Sequence, residues 1–507
     1  MRNSSNELFN LIKSLSKSEK GYFKKFSALH TIGKENKYLK LFILIVKQKI
    51  YDEKKIKKAF KGDGFVKQLP VAKNYLYKII LKSLNQYYSD STISIKINNL
   101  FNASMILYRK GLLNESLKLL LKGKMLAYKY EKYESLIQIL NLEKQITIGL
   151  QPRDYLDKLI GNSVEKTKVS KRISNIVTFD YDLNKVVVLY NSRRIIRNTE
   201  DSKAYDKIMN KPRSRDERYA EEFESKLYFY HKLVNYNLAA ADDIKAYDYV
   251  KKLARVLESN SEHIKEFTHE YVSVLNTCLV TILFLKKYDE SDNIIKKLNS
   301  LKPLSLILQN RIRTITLNFM LNKSIKTGEF EMCLKIIPQI EDQLKLMPYE
   351  SRKFHEEKIN YSLSYIYLGL DNYEKALEYI NKILDDRYGS TRIDLLSFAH
   401  ILNLIIHYEL DSNELLPYII KNTSRFLAGK KELYHVEREI LNFFKTAPDL
   451  LTKKQRIDAF SDLRKKIINI TKDPYERIAL DYFDFISWVE SKIAGKKFSD
   501  IVKAKAN

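Results

Sequence analysis

The sequence predicts an all-α protein, and two observations lead to that prediction. The 507 residues contain only 13 Gly and 9 Pro, which leaves few of the turn residues that a protein rich in β-hairpins needs. Hydrophobic residues make up 45% of the chain, and in many segments they recur at intervals of three and four residues, the period of an amphipathic helix. We therefore expect long helices joined by short connections.

From about residue 216 to the end of the chain, the helices are expected in pairs. Segments 284–303, 326–340 and 364–384 each place an aromatic residue in a tight turn, a small residue three positions later and a large apolar residue four beyond that. The small residue lets two helices approach closely, and the apolar stripe faces the partner helix. Weaker copies occur at 101–123, 230–257 and 400–422. The three clear copies contain Tyr288, Ser291 and Ile295; Phe330, Cys333 and Ile337; and Tyr373, Ala376 and Ile380.

Segment 364–384 resembles a tetratricopeptide repeat, because the family's signature positions are matched by Leu363, Tyr367, Gly369, Tyr373, Ala376 and Ile380. The whole chain is similar to bacterial tetratricopeptide-repeat proteins that share a basic helical amino terminus. The turn aromatics at 288, 330 and 373 recur at a longer interval than the family's repeat of about 34 residues, so longer helices are expected. The resemblance implies a right-handed α-solenoid whose concave surface binds a protein or peptide. Its candidate concave-surface contacts are Asn318, Asn322, Tyr361 and Tyr365.

Charge and pattern divide the chain into three predicted regions. Residues 1–95 form a basic helical module, 96–215 an irregular basic helix-pair region and 216–507 the helical repeats. The chain contains 89 Lys and Arg against 62 Asp and Glu, a net charge of +27. Basic and acidic residues number 21 and 7 in residues 1–100, 18 and 10 in residues 101–200, and 50 and 45 thereafter. Most of the excess positive charge therefore lies in the first 200 residues.

A positive amino-terminal region favours binding to nucleic acid, to an acidic protein or to an anionic membrane face. Two simpler explanations remain open, namely the lysine-rich composition of an AT-rich genome and a charge that only maintains solubility. Residues 1–100 contain one arginine, Arg2, beside 20 lysines. Because bidentate recognition of guanine favours arginine, any nucleic-acid contact here is expected with backbone phosphate.

Within residues 38–88 we predict three helices, of which the first and third are long and the second is short. On the third, Ala72, Leu76 and Ile80 share one face, and the opposite face presents the candidate nucleic-acid or acidic-partner contacts Lys73, Asn74, Lys78 and Lys82. A helix that reads a DNA groove has this pattern, and so does a polar end cap of a solenoid. The connection from Lys61 to Leu69 is longer than a helix-turn-helix allows, which favours the cap.

The only clustered arginines occur between residues 150 and 215. Arg193, Arg194 and Arg197 recur at one-turn spacing. Arg193 and Arg197 can therefore share a helix face and bind phosphate or carboxylate. A salt-bridged surface is the alternative, because acidic residues such as Glu200 lie nearby.

No catalytic, cofactor or metal motif occurs, so we expect a protein that is not an enzyme and holds neither cofactor nor metal. The pattern most similar to a metal site is Glu-x-x-His, which occurs at Glu266/His269 and Glu432/His435. Two occurrences are within what chance produces in a chain of this composition. Cys278 and Cys333 lie in apolar helical segments and are expected in the core. Trp488 is expected to anchor the last helix.

Location and function follow from these patterns. The amino terminus lacks the apolar segment of a secretory signal, and the longest uncharged run, Tyr271 to Leu285, is too short and polar to span a bilayer. With only two cysteines, a reducing cytoplasm is expected. The leading prediction is a scaffold or adaptor that binds a protein partner on a concave repeat surface. The alternative is a nucleic-acid-binding protein that uses residues 1–200.

Overall fold

The protein is all-helical. The computed structural model describes residues 4–29, 36–62, 64–193, 196, 199–302, 305–345, 349–385, 393–412, 414–429, 435–446 and 452–506. Helices account for 84% of the structure, and these residues contain no strand. Within the same ranges, no helix combines the length and the apolar character that crossing a membrane requires.

The amino-terminal helices form one apolar cluster, in which Leu8, Phe23, Phe42 and Leu76 are almost completely buried. The three predicted helices are present, and two further helices precede them. The bounds are α1 Ser4–Ser14, α2 Lys17–Leu29, α3 Lys37–Lys47, α4 Glu53–Ala59, a 3-10 turn Gly64–Val66 and α5 Leu69–Tyr87.

The next four helices pack consecutively, each against the one before it. They are α6 Ile93–Arg109, α7 Leu113–Lys129, α8 Tyr133–Leu150 and α9 Tyr155–Arg193. The 39-residue α9 is the longest described helix. Its first half packs on α8, and its second half packs on the helix Phe223–Ala239 of the next group. It therefore connects two apolar clusters.

The third group surrounds a core that includes Tyr205, Val250, Leu275 and Cys278. Its helices are α10 Thr199–Met209, α11 Pro212–Arg215, a 3-10 turn Glu217–Tyr219, α12 Phe223–Ala239, α13 Asp243–Glu258, α14 Ser261–Glu266, α15 Thr268–Phe284, a 3-10 turn Tyr288–Glu290, α16 Ser291–Ser300 and α17 Leu306–Thr327.

The last group forms the most extensive apolar cluster of the described residues. Its helices are α18 Phe330–Leu334, α19 Ile337–Lys345, α20 Tyr349–Gly369, α21 Tyr373–Leu384, α22 Ile393–Glu409, α23 Leu416–Ala428, α24 His435–Thr446, α25 Lys453–Ile470, α26 Pro474–Arg477, α27 Ala479–Tyr482, α28 Phe485–Ala494 and α29 Phe498–Ala506. The segment that contains Phe330, Cys333 and Ile337 forms two helices, α18 and α19, because Pro338 cannot donate a hydrogen bond to the carbonyl of Leu334.

Helical hairpins recur with one type of turn. In each, a residue with positive φ is followed by a residue whose N–H donates to the carbonyl five positions earlier, at 2.7 to 3.1 Å. This is the Schellman arrangement, which satisfies carbonyls at a helix end. Five of these turns, at 241, 286, 328, 371 and 411, lie 40 to 45 residues apart. The full set has positive φ at Gly111, Glu131, Ala241, Lys286, Gly328, Asp371, Asp411 and Gly495.

The predicted small residues lie where the two helices of a hairpin meet. Ser116, Ser291, Cys333 and Ala376 are all fully buried. The Ser364 hydroxyl donates to the carbonyl of Ala376 at 2.8 Å, and the hydroxyls of Ser104 and Ser116 lie 2.9 Å apart. The predicted pairing of helices at small residues is therefore confirmed.

The turn at Gly328 provides a test of this packing. A Cβ atom at Gly328 would lie 2.9 Å from the carbonyl oxygen of Ser499 on α29, whereas one at Gly111 would meet nothing within 4 Å. Both glycines have positive φ. We expect Gly328→Ala to lower the free energy of unfolding by about 2–4 kcal/mol and the control Gly111→Ala by about 1 kcal/mol, measured by urea denaturation. Equal losses would contradict the close approach of α29.

Candidate functional site

Three acidic residues of the basic module, residues 1–95, are held by contacts within it, whereas Glu7 and Asp90 are exposed. Glu19 is 8% exposed, and its carboxylate accepts hydrogen bonds from the Ser16 N–H at 2.6 Å and the Tyr88 hydroxyl at 2.7 Å. Burial raises the pKa of Glu19, but these hydrogen bonds outweigh burial and leave the pKa below its ordinary value. The Glu19 charge thus joins α2 to the end of α5 and contributes little to the surface.

Asp52 and Glu53 have similar internal roles at the start of α4. Asp52 accepts a hydrogen bond from the Lys55 N–H at 3.1 Å and so caps the helix. Glu53 pairs with Lys57 at 2.8 Å and with Lys73 at 2.5 Å. Hydrogen bonds from these two lysines lower the pKa of Glu53 to about 2.

Most of the module's lysines, by contrast, are exposed and have no carboxylate within 4.0 Å among the described residues. In the repeat region, pairs such as Lys297 with Glu258 at 2.7 Å and Lys382 with Glu378 at 2.8 Å are frequent. The surface of the module is therefore strongly cationic. We call this set the exposed lysines: Lys17, Lys24, Lys25, Lys47, Lys49, Lys54, Lys58, Lys61, Lys67, Lys78 and Lys82.

Helix α5 presents most of its predicted contacts to solvent. Asn74, Lys78 and Lys82 are exposed. Lys73 is not, because it is 2% exposed and its ammonium reaches Glu53 and lies 5.3 Å from the centre of the Tyr51 ring. The prediction for Lys73 was wrong because helices pack on α5 over a wider arc than the apolar stripe indicated, so that position 73 falls within the contact.

The arginine cluster follows the long helix. Arg193 is the last residue of α9, and only its backbone is described. Arg194 and Arg197 lie outside the described residues.

The candidate concave-surface residues do not form one surface. Asn318 and Asn322 lie partly exposed on α17, where the Asn322 amide donates to the carbonyl of Asn318 at 2.6 Å. Tyr361 and Tyr365 on α20 are only 6% and 4% exposed.

The two tyrosines are covered by the carboxyl-terminal segment. The Tyr361 hydroxyl donates to the carbonyl of Tyr482 at 3.2 Å, and the Tyr365 hydroxyl accepts from the Asp484 N–H at 3.3 Å. The ring of Phe483 lies 4.9 Å from that of Tyr365. The prediction of Tyr361 and Tyr365 as surface contacts was therefore wrong, because a segment more than 110 positions away in sequence packs over them.

The structure also contains a cleft that the sequence analysis missed. It lies where α3 ends and α4 begins, and its volume is about 710 Å³. We call it the α3–α4 cleft, and it is lined by Leu44, Lys47, Gln48, Lys49, Ile50, Tyr51, Asp52, Lys55 and Ile56. The signal in the sequence was Ile50, an apolar residue between the closely spaced lysines Lys49 and Lys54.

Other reactive or polar groups have structural surroundings. Cys278 and Cys333 are buried, and burial raises their thiol pKa values to about 12 and about 11. Both cysteines therefore belong to the core, as predicted. Trp488 is 1% exposed and donates to Glu409 on α22 at 2.7 Å, so it anchors α28. The prediction that it anchors the last helix was wrong in that respect, because α29 follows α28.

The metal-like pattern has no metal-site geometry in the described residues. Glu266 accepts from the Ser94 N–H at 2.8 Å and the Ser94 hydroxyl at 2.9 Å, at the start of α6. Glu432 lies outside the described residues. No group of three or more His, Cys, Asp and Glu in the described part of the chain could hold a metal ion.

Comparison with known proteins adds no assignment, since the chain matches no protein-family model, no curated protein and no solved structure.

The Glu53 ion pairs make a pH-dependent contribution to stability. Because the folded pKa of about 2 lies below the ordinary 4.5, the contribution is complete above about pH 4.5 and is lost as the pH falls toward 2. We expect Glu53→Gln to lower the free energy of unfolding by about 1–3 kcal/mol at neutral pH, since Glu53 is partly exposed while Lys73 is buried.

Urea unfolding of the Glu53→Gln variant and the unmodified chain across the acid range measures this contribution. The difference between them should shrink as the pH approaches 2. Glu7→Gln, at an exposed position of α1, is the control and should leave stability nearly unchanged. A Glu53→Gln penalty that does not vary with pH would contradict the ion-pair account.

Proposed function

We propose that this protein is a non-enzymatic nucleic-acid-binding protein whose basic amino-terminal residues hold the phosphate backbone. The observation that carries the proposal is a difference between the charged groups of the basic module: several carboxylates have partners within it, whereas most lysines are exposed. Glu19, Asp52 and Glu53 are held by hydrogen bonds or ion pairs within the module, and Glu7 and Asp90 are its other described acidic residues. The exposed lysines outnumber these two and have no carboxylate partner among the described residues. A surface of this kind attracts a polyanion and releases the polyanion's counterions.

The choice of lysine over arginine supports backbone contact. Residues 1–100 contain 20 lysines and only Arg2. An ammonium is a point charge that contacts phosphate without a planar fork to read a base edge. Binding is therefore proposed to depend on charge and strand form more than on sequence.

For the remainder of the chain, we infer a right-handed α-solenoid of tetratricopeptide-like helix pairs. The regular turns at 241, 286, 328, 371 and 411, each with the same backbone hydrogen bond, support this arrangement. A cytoplasmic location is part of the same proposal, supported by two buried, unbridged cysteines.

A second candidate function is a scaffold for a protein partner, and the outer face of α9 favours it. Leu156, Ile160 and Val164 recur at one-turn spacing on this face and are 69%, 64% and 50% exposed. A row of exposed aliphatic side chains on one helix is typical of a surface that binds another helix.

The salt dependence of binding tests the first proposal. We expect the affinity of the full chain for DNA or RNA to fall by about 0.7–0.9 log units per log unit of salt for each phosphate contacted. Lys78→Gln/Lys82→Gln should reduce this slope by about 1.5, as measured by fluorescence anisotropy. The control Lys245→Gln/Lys382→Gln removes two lysines that are paired with carboxylates and should leave the slope unchanged. No binding at low salt would reject the proposal.

Partner capture tests the second candidate. The reference is a protein that the unmodified chain retains reproducibly from cell extract, as measured by quantitative mass spectrometry. The triple variant Leu156→Ser/Ile160→Ser/Val164→Ser should no longer retain that protein. The control Leu306→Ser/Ile307→Ser changes residues of α17 that are 46% and 79% exposed and should retain it. Identical retention by both variants would exclude the α9 face as the binding surface.

A further inference from the structure

We propose that the α3–α4 cleft binds single-stranded nucleic acid, with lysines on the phosphates and an unstacked base against the apolar wall. The inference rests on the proposed nucleic-acid function and assigns it a location and a strand form. The observation that carries it is the combination, in one cleft, of unpaired cations with apolar and aromatic surface.

The cleft has the dimensions and the chemistry of a ligand site. Its volume of about 710 Å³ lies within the usual range for ligand pockets, about 300–1,000 Å³. The side chains of Leu44 and Ile50 and the ring of Tyr51 form its accessible apolar part, and the fully buried Ile56 lies behind them. Aromatic and aliphatic surface of this kind is where proteins place unstacked bases.

The charged groups of the cleft favour an anion. Lys47 and Lys49 are exposed, and among the described residues neither has a carboxylate within 4.0 Å. Lys55 lies 3.8 Å from Asp52, in a pair that is open to solvent. Asp52 is the one carboxylate that lines the cleft, and its other oxygen caps α4. The cleft therefore retains a net positive charge.

The walls of the cleft are held in place before any ligand binds. The Gln48 amide donates to the carbonyl of Asp52 at 2.9 Å, and its oxygen accepts from the Asp52 N–H at 3.0 Å. The Tyr51 ring packs edge-on against Phe9 at 5.8 Å, and its hydroxyl lies 3.3 Å from Glu53. A preformed site loses less conformational entropy on binding than a flexible one.

A single strand fits this arrangement better than a duplex. In a duplex the bases are stacked inside the helix, so that only phosphates and sugars would reach the lysines. The apolar part would then contribute nothing, although Ile50 is 83% exposed at the mouth of the cleft. A flexible strand can place a base against Ile50 and Tyr51 while its phosphates contact Lys47 and Lys49.

An anionic membrane fits less well. Helices that lie on a membrane bury an entire apolar face about 5–10 Å deep. Here α3 and α4 direct Leu41, Ile45 and Ile56 into the core of the module, where each is fully buried. Of the apolar residues that line the cleft, only Ile50 is strongly exposed, so the cleft does not present the continuous apolar face that lies on a membrane.

The test compares strands that have the same charge and differ in their bases. The affinity of the full chain is measured for a short deoxythymidine oligomer and for an abasic strand of equal length. We expect the oligomer to bind about tenfold more tightly than the abasic strand, because only the oligomer can contact the apolar part. Ile50→Ser should remove that difference without changing the affinity for the abasic strand.

Matched variants separate the cleft from the rest of the basic surface. Val71→Ser replaces a 71% exposed apolar residue of α5 and should keep the preference for the oligomer. Lys47→Gln/Lys49→Gln should weaken oligomer binding several-fold more than Lys24→Gln/Lys25→Gln, which removes the same charge from α2. All four substitution sets lie at exposed positions, so circular dichroism should show unchanged helix content.

The outcomes distinguish the inference from the function on which it rests. Equal affinity of the unmodified chain for the oligomer and the abasic strand would overturn the inference and leave phosphate binding standing. Equal losses in the two lysine variants would also overturn it. No binding to any strand would reject both proposals. Tighter binding to phosphatidylserine vesicles than to any strand, lost in Ile50→Ser, would assign the cleft to a membrane instead.

Discussion

One type of turn between antiparallel helices recurs from α6 to α29, and the pairing of these helices relies on it. One residue enters the left-handed region, the next donates its N–H to a carbonyl five positions back, and a small residue soon afterwards lies against the first helix. Most residues with positive φ in these turns are not glycine, and Ala241 and Lys286 are examples. The left-handed conformation costs roughly 1–2 kcal/mol at such residues, so the backbone hydrogen bonds and the packed helices must stabilise it.

Electrostatics divides the molecule into two kinds of surface. In the repeat region, lysines and carboxylates are close in sequence or on adjacent helices, and they pair. In the basic module the acidic residues are few, and Glu19 and Glu53 are occupied by Tyr88, Lys57 and Lys73. The cationic character of the module therefore results from the position of its carboxylates as well as from the number of its lysines.

The errors of the sequence-based predictions have a common cause. Lys73, Tyr361 and Tyr365 were assigned to exposed faces from helical periodicity and from resemblance, and all three are buried. Periodicity describes a helix and its nearest neighbour, whereas Tyr361 and Tyr365 are covered by residues 482–484 and Lys73 by contacts with α4. The α3–α4 cleft was missed for a different reason. Its lining residues all lie within 44–56, but they belong to the end of one helix, the start of the next and the connection between them, which the periodicity of a single helix does not describe.

Sequence alone predicted the all-helical class, the pairing of helices at small residues and the concentration of positive charge near the amino terminus. These features depend on composition and on contacts between neighbours in the chain, which spacing reveals directly. The packing of the folded chain determines which lysines are exposed and which aromatic residues are covered, because segments distant in sequence come together there. The α3–α4 cleft depends instead on how two consecutive helices meet. The periodicity of a single helix describes neither.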